Sequence, residues 1–180
     1  IGRSAAIALG QAGAEVWLLA RTASEIDAAA AEIRAAGGHA RAVACDVTDA
    51  LAVNHVVSAI PMLDVLVNNA GTNIPEPFVA VSEAHFDQLL DLNVRAMFIV
   101  AQAAAKKMLE NPERKARGGV VINITSQMGH VGAPNRSVYC LTKHAIEGLT
   151  KALAVELAMH NIRVNAIAPT FLDTPMTKPM

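Results

Sequence analysis

The chain runs to 180 residues, 53% of them hydrophobic and 17% charged, with a formal net charge of −1. That length suits one domain over residues 1–180 with a real core, and the apolar balance excludes a disordered chain. Near-zero charge points away from nucleic acid and from acidic membrane surfaces, and no apolar run approaches the roughly 20 residues of a membrane span.

The elements alternate. Arg3 to Ala12 is small and apolar at helical spacing, closed by Gly13. Glu15 to Ala20 (EVWLLA) has strand length. Ser24 to Ala36 favours helix and stops at Gly37-Gly38, His39 to Cys45 reads as a strand, and Asp49 to Ile60 as a helix. Asp64 to Asn68 (DVLVN) is a buried strand ending at Asn69-Ala70-Gly71. Ser82 caps a helix, and helical pattern resumes from Asn93 to Leu109. Asn111 to Gly118 is a polar, solvated connection. Gly119 to Thr125 (GVVINIT) is an apolar strand, Ser137 to Met159 a long amphipathic helix, and Ile162 to Ile167 the last strand.

Strands separated by helices of this length predict βαβ crossovers and a parallel sheet covered on both faces. The expected fold is therefore α/β: a doubly wound, three-layer α/β/α sandwich of Rossmann-like kind. Ligands of such sheets sit beyond the carboxyl ends of the strands, so the residues there carry the search for chemistry.

Three such residues form a set. Tyr139 and Lys143 lie i, i+4 near the start of the long helix and share a face. Ser126 directly follows GVVINIT, and Tyr139 is the only tyrosine in the chain. Alone, Tyr139 would equally read as an aromatic packing on the sheet. With a neighbouring ammonium its phenol would fall towards the range of general acid–base work, and the Ser126 hydroxyl could hold a substrate oxygen. Such a site moves a proton on an alcohol or ketone, and the hydride must come from a cofactor.

The ordered motifs resemble the short-chain dehydrogenase/reductase family along essentially the whole chain. Ile1-Gly2 matches the tail of its glycine-rich loop, whose first strand and first glycines are absent here, and no closing strand follows; the chain reads as a fragment. Asp46-Val47 matches the acid that contacts adenine, and Asn68-Asn69-Ala70-Gly71 the N-N-A-G motif. Asn93, Ser126, Tyr139 and Lys143 match the catalytic tetrad, and Arg163-Val164-Asn165 with Pro169 the last strand and turn, with Thr170 where glycine is usual. The resemblance implies Tyr139 as acid/base and Ser126 as carbonyl holder. It implies Lys143 as the residue that binds the nicotinamide ribose and lowers the Tyr139 pKa, and Asn93 as holder of a water. Ile1, Gly2, Asp46, Val47, Asn69, Ala70, Gly71 and Pro169 would line the cofactor. For Asp46, a helix cap or surface acid is the competing reading.

Arg21 follows EVWLLA where an acid would favour NAD; an arginine fork suits a 2′-phosphate. The expected cofactor is thus NADP, with NAD as the alternative and Thr22 a second phosphate contact, unless Arg21 is merely solvated. Between Asp46 and Asp64 the spacing is short for the family, and residues 170–180 (TFLDTPMTKPM) read as the start of a substrate lid. Substrate likeness divides between sugar acids or polyols, of gluconate dehydrogenase type, and 3-oxoacyl thioesters. His130, Asn135 and Arg136 are candidate contacts or solvated loop residues. The alternative class is a non-catalytic dinucleotide-binding regulator or scaffold. Six scattered histidines with no His-x-x-x-His pair speak against a metal. Cys45 and Cys140, far apart, read as free thiols of a cytoplasmic protein. Relatives pair the helices around Met97–Val100 and Leu149–Leu157, so the expectation is a homodimer or homotetramer.

Overall fold

A computed structural model describes residues 1–174. Helices and strands alternate in chain order: α1 (Gly2–Gln11), β1 (Glu15–Ala20), α2 (Ala23–Ala35), β2 (His39–Ala44), α3 (Ala50–Ala59) and β3 (Val65–Asn68). There follow α4 (Glu83–Leu90), a π-helical turn (Asp91–Ala96), α5 (Met97–Leu109), the short α6 (Arg114–Arg117), β4 (Gly119–Ile124), α7 (Ser137–Leu157) and β5 (Ile162–Ile167). The α/β fold expected from the sequence is present.

Local chemistry sets the boundaries. Asp49 caps α3, its carboxylate accepting from Leu51 and Ala52 N–H, and Ser82 caps α4 by accepting from His85 N–H. Gly13 and Gly37, at φ +91° and +86°, turn the chain out of α1 and α2 in a conformation that side chains disfavour.

Strand alternation shows why both faces of the first sheet are covered. Val16, Leu18 and Ala20 of β1, with Ala40 and Ala42 of β2, pack with Ala6, Ile26, Ala29, Ala30 and Ile33 of α1 and α2. Leu19 and Val43, of opposite parity, pack with Val53, Val56 and Val57 of α3 and Ala103 of α5. A third cluster joins Met108 of α5 to Val121, Val164 and Leu153, on β4, β5 and α7.

Every ladder is parallel, but the strands form two sheets, β1–β2 and β3–β4–β5, in place of the one continuous sheet the pattern predicts. No described residue supplies a strand between β1 and β3. The α3–α5 cluster and the packing of Gly2 against Asn69 bridge the gap.

The segment 111–118 is exposed along most of its length, as a solvated connection would be, with one exception. It holds α6 and the buried Arg114, whose guanidinium donates to the carbonyls of Leu63 (2.8 Å), Met108 (3.0 Å) and Gly118 and meets Asp64 at 3.3 Å. Three carbonyls left by a helix end and a loop find one planar donor, which is what draws Arg114 inward from so polar a stretch. Of the expected lid, residues 175–180 lie outside the described residues. Among the described residues no helix is long and apolar enough to cross a membrane, and both cysteines are free thiols.

Candidate active site

Four backbone segments meet at the carboxyl ends of β3, β4 and β5. Ser126 stands two residues beyond β4, and Tyr139 and Lys143 stand on the first two turns of α7. The spacing of four puts both on one helix face, and the Lys143 Nζ lies 5.6 Å from the centre of the Tyr139 ring.

The hydroxyl of Ser126 is held by a donor: Met128 N–H donates to Oγ at 3.1 Å, closing the tight turn 127–129. The Ser126 hydroxyl lies beside the Tyr139 phenol and favours the phenolate, as does the nearby Arg136. Burial works harder in the opposite direction, and on balance it raises the Tyr139 pKa above the usual phenol value. The lowered phenol expected from Lys143 is therefore not what this arrangement produces. Lys143 donates to the carbonyl of Ile124 at 3.0 Å, and burial of its ammonium pushes its own pKa from 10.5 down to about 8. The phenol owes its charge stabilisation to Ser126 and Arg136 instead.

Asn93 sits in the π-helical turn and is wholly buried. A single π turn adds one residue to the helical register, a feature common at functional sites. The Asn93 amide exchanges two hydrogen bonds with the backbone of Thr72, each 2.8 Å, and its Nδ2 also reaches Thr142 Oγ1 at 3.2 Å. Its visible work is to clamp the segment after β3 to α7.

Gly71 lies in the crook of these groups. A Cβ there would come 3.2 Å from Asn93 Oδ1 and 3.7 Å from Lys143 Nζ, so the hollow beside Asn93 and Lys143 exists because residue 71 has no side chain. At Gly2 a Cβ would lie 2.6 Å from Asn69 Nδ2, which lets the start of α1 close on the end of β3. No side chain caps α1, so its first N–H groups face outward, an arrangement suited to a phosphate anion. Ala70 is half-buried between Asn69 and Gly71, and Pro169 accepts from Gln127 N–H at 2.9 Å, bringing the β5 end to the Ser126 turn.

A second group lies at the ends of β1 and β2. Asp46 accepts from Thr48 N–H (3.0 Å) and Thr48 Oγ (2.8 Å), which, with Arg21 close by, hold its carboxyl below the usual carboxylate range. It is not the helix cap of the competing reading; Asp49 is. Val47 packs into the α3–α5 cluster. Arg21 is exposed, and Thr22 begins α2 without using its hydroxyl as a cap. The structure thus gathers Asn93, Ser126, Tyr139, Lys143, Gly71 and Pro169 at one end, Arg21, Thr22, Asp46 and Val47 at the other, and Gly2 with Asn69 between.

Three residues of the site escaped sequence reasoning. Thr142 is fully buried and donates to Tyr139 O at 2.8 Å; Thr125 and Glu147 are joined at 2.6 Å behind Ser126. Glu147 repeats the spacing of four from Tyr139 through Lys143, and that periodicity was the signal available. Among the described residues no group of three or more His, Cys, Asp or Glu is placed to hold a metal.

The chain is 39% identical over 178 residues to L-xylulose reductase from Bos taurus, covering 98% of this chain and 69% of that protein. It is 37% identical over 182 residues to a 3-oxoacyl-acyl-carrier-protein reductase from Staphylococcus aureus, covering 98% and 72%. The crystal structure of a metagenomic short-chain oxidoreductase in complex with NADP superposes with a TM-score of 0.86 at 34% identity, over 93% of this chain and 76% of that one. The profile of the short chain dehydrogenase family matches residues 1–180. The chain belongs to that family, the NAD(P)-dependent short-chain dehydrogenases/reductases.

Proposed function

We propose that this protein reduces a ketone to a secondary alcohol, and runs the reverse oxidation, with Tyr139 as the proton-transferring residue. The observation that carries the reading is the placement of Ser126 Oγ, held by Met128 N–H, beside the Tyr139 phenol, with the buried Lys143 one helical turn on. A dinucleotide fits the groups present: Lys143 and Gly71 at one end, the uncapped start of α1 in the middle, Asp46 and Arg21 at the other. Bound there, it would supply the hydride.

The protein's own residues do the rest. Ser126 holds the substrate oxygen where negative charge grows. Tyr139 gives that oxygen a proton, and its raised pKa keeps the proton in place at neutral pH, which favours reduction. Lys143 presents an ammonium towards the site, and Asn93 fixes the segment that carries Gly71. Arg21 and the uncapped Thr22 hydroxyl support NADP over NAD.

For the substrate, the reading is a polyol or sugar-acid ketone or a 3-oxoacyl thioester, in line with the names of the relatives, a gluconate 5-dehydrogenase structure from Beutenbergia cavernae among them. Exposed Phe78, Phe98, Val155 and Met159 support assembly as a homodimer or homotetramer.

The test follows NADPH and NADH absorbance with keto-sugars, keto-sugar acids, a diketone and a 3-oxoacyl thioester, for the native protein and Tyr139→Phe. Removing the acid should cost at least about a hundredfold in kcat. Turnover that survives Tyr139→Phe overturns the assignment.

A further inference from the structure

Behind Ser126 stands a carboxylate that the reaction above does not use. Glu147 lies on α7 one turn beyond Lys143, and its side chain is only 12% exposed. Thr125 Oγ1 lies 2.6 Å from Glu147 Oε1 and 3.1 Å from Ile167 O; with one proton to give, the hydroxyl donates along the shorter line. His130 Nε2 approaches the same oxygen at 3.3 Å. The carboxylate therefore touches the residue before Ser126 and the residue that closes the turn after it.

The backbone confirms that this turn is pressed onto α7. Gly129 N–H donates to Ser126 O at 2.8 Å, and a Cβ at Gly129 would come 3.1 Å from both Glu147 Cγ and Lys143 O. Only a glycine lets the turn reach the Lys143–Glu147 stretch of the helix. The same turn supplies the Met128 N–H that orients the Ser126 hydroxyl. Moving the turn outward moves that donor, and with it the oxygen that holds the substrate.

Resting on the reading of Ser126 and Tyr139 given above, we propose that Glu147 is a positioning residue. Through Thr125 and His130 it fixes the Ser126 segment against the helix that carries Tyr139 and Lys143. It touches neither substrate nor cofactor.

The experiment compares native protein with Glu147→Ala and Glu147→Gln in kcat, cofactor Kd and amide hydrogen exchange. Glu147→Ala should lower kcat about 30- to 100-fold, as a misplacement of about 1 Å does, with cofactor Kd unchanged. Amides of Met128, Gly129 and His130 should exchange about tenfold faster or more, while Val121 and Val164 keep their protection. Glu147→Gln, whose amide oxygen still accepts from Thr125, should stay within about threefold of native kcat. Should Glu147→Ala fail to fold, Thr125→Val removes the same bond and should show the same loss, with Thr125→Ser restoring it.

Native kcat and exchange in Glu147→Ala would overturn the proposal, as would faster exchange spread evenly over β4 and β5. If the native protein reduces no ketone, or Tyr139→Phe remains active, the catalytic reading fails, and the exchange pattern alone decides the role of Glu147. If Tyr139→Phe is dead while Glu147→Ala equals native, the positioning role fails by itself.

Discussion

Lys143 stands in the candidate site and burdens the fold at the same time. The residue is 4% exposed, and its ammonium has the Ile124 carbonyl as acceptor and titrates near 8. Below pH 8 folded and unfolded chains both carry the charge, and the fold bears the full cost of burying it. Between about 8 and the ordinary 10.5 the folded chain releases its proton first, so the penalty shrinks and this group's contribution to stability improves as pH rises. Lys143→Met should therefore raise stability at pH 7 by about 1–3 kcal/mol while abolishing turnover. Urea denaturation beside an activity assay checks this, and a less stable variant contradicts it. In the native protein, kcat/KM for reduction should fall above a pH of about 8 as the ammonium is lost. Arg21 invites a separate trial. Arg21→Ala should raise KM for NADPH about tenfold or more, the worth of a charge-assisted hydrogen bond, and leave NADH within about twofold; equal effects on both cofactors would make Arg21 a solvated surface residue. The juxtaposition of Tyr139, Lys143 and Ser126 was legible because their types and spacing are chemical. The direction of the Tyr139 shift was not legible, because it depends on burial set against hydrogen bonding, and a one-dimensional pattern carries neither depth nor the identity of the neighbouring acceptor.

At the scale of elements, alternation and caps carried most of the fold. Helix starts at Asp49 and Ser82 follow from side chains that satisfy orphan N–H groups, and those are written in the sequence. The π turn at Asp91–Ala96 was visible only as a break after Leu92, because the extra residue is imposed by what Asn93 reaches across to, the backbone of Thr72. Arg114 failed for the same reason. In a run as polar as NPERKARG nothing local marks which arginine turns inward; the acceptors are Leu63 O, some fifty residues earlier, with Met108 O and Gly118 O. Removing the fork should leave these carbonyls without a donor. Arg114→Met is expected to cost about 2–4 kcal/mol, read from a denaturation midpoint at unchanged m-value; a loss below about 1 kcal/mol would mean that water replaces the guanidinium freely.

Across the whole molecule the division into two sheets sets how the parts cooperate. Backbone ladders join β1 to β2 and β3 to β4 and β5, and none crosses between the groups among the described residues. The sequence could predict parallel strands but not this split, since pairing depends on which segment lies between β1 and β3 in space. What crosses the gap is side-chain packing: Leu19 and Val43 from the first sheet meet Val53, Val56, Val57 and Ala103, while Leu63, just before β3, joins the same cluster. Apolar contact is less directional than a ladder, so the two sheets should be able to open separately, as distinct cooperative units. Val57→Ala, which hollows the shared cluster, should cost about 1–3 kcal/mol. It should lower the exchange protection of Leu18 and Val43 amides more than that of Val121 and Val164, because the second sheet keeps its own core of Met108, Val121, Ile162 and Val164. Native-state hydrogen exchange reads this directly. A uniform fall across all five strands would show that the α3–α5 cluster couples the sheets as tightly as hydrogen bonds would. Arg21 and Asp46 would then be held to Ser126 and Tyr139 by one cooperative unit rather than across a packed seam.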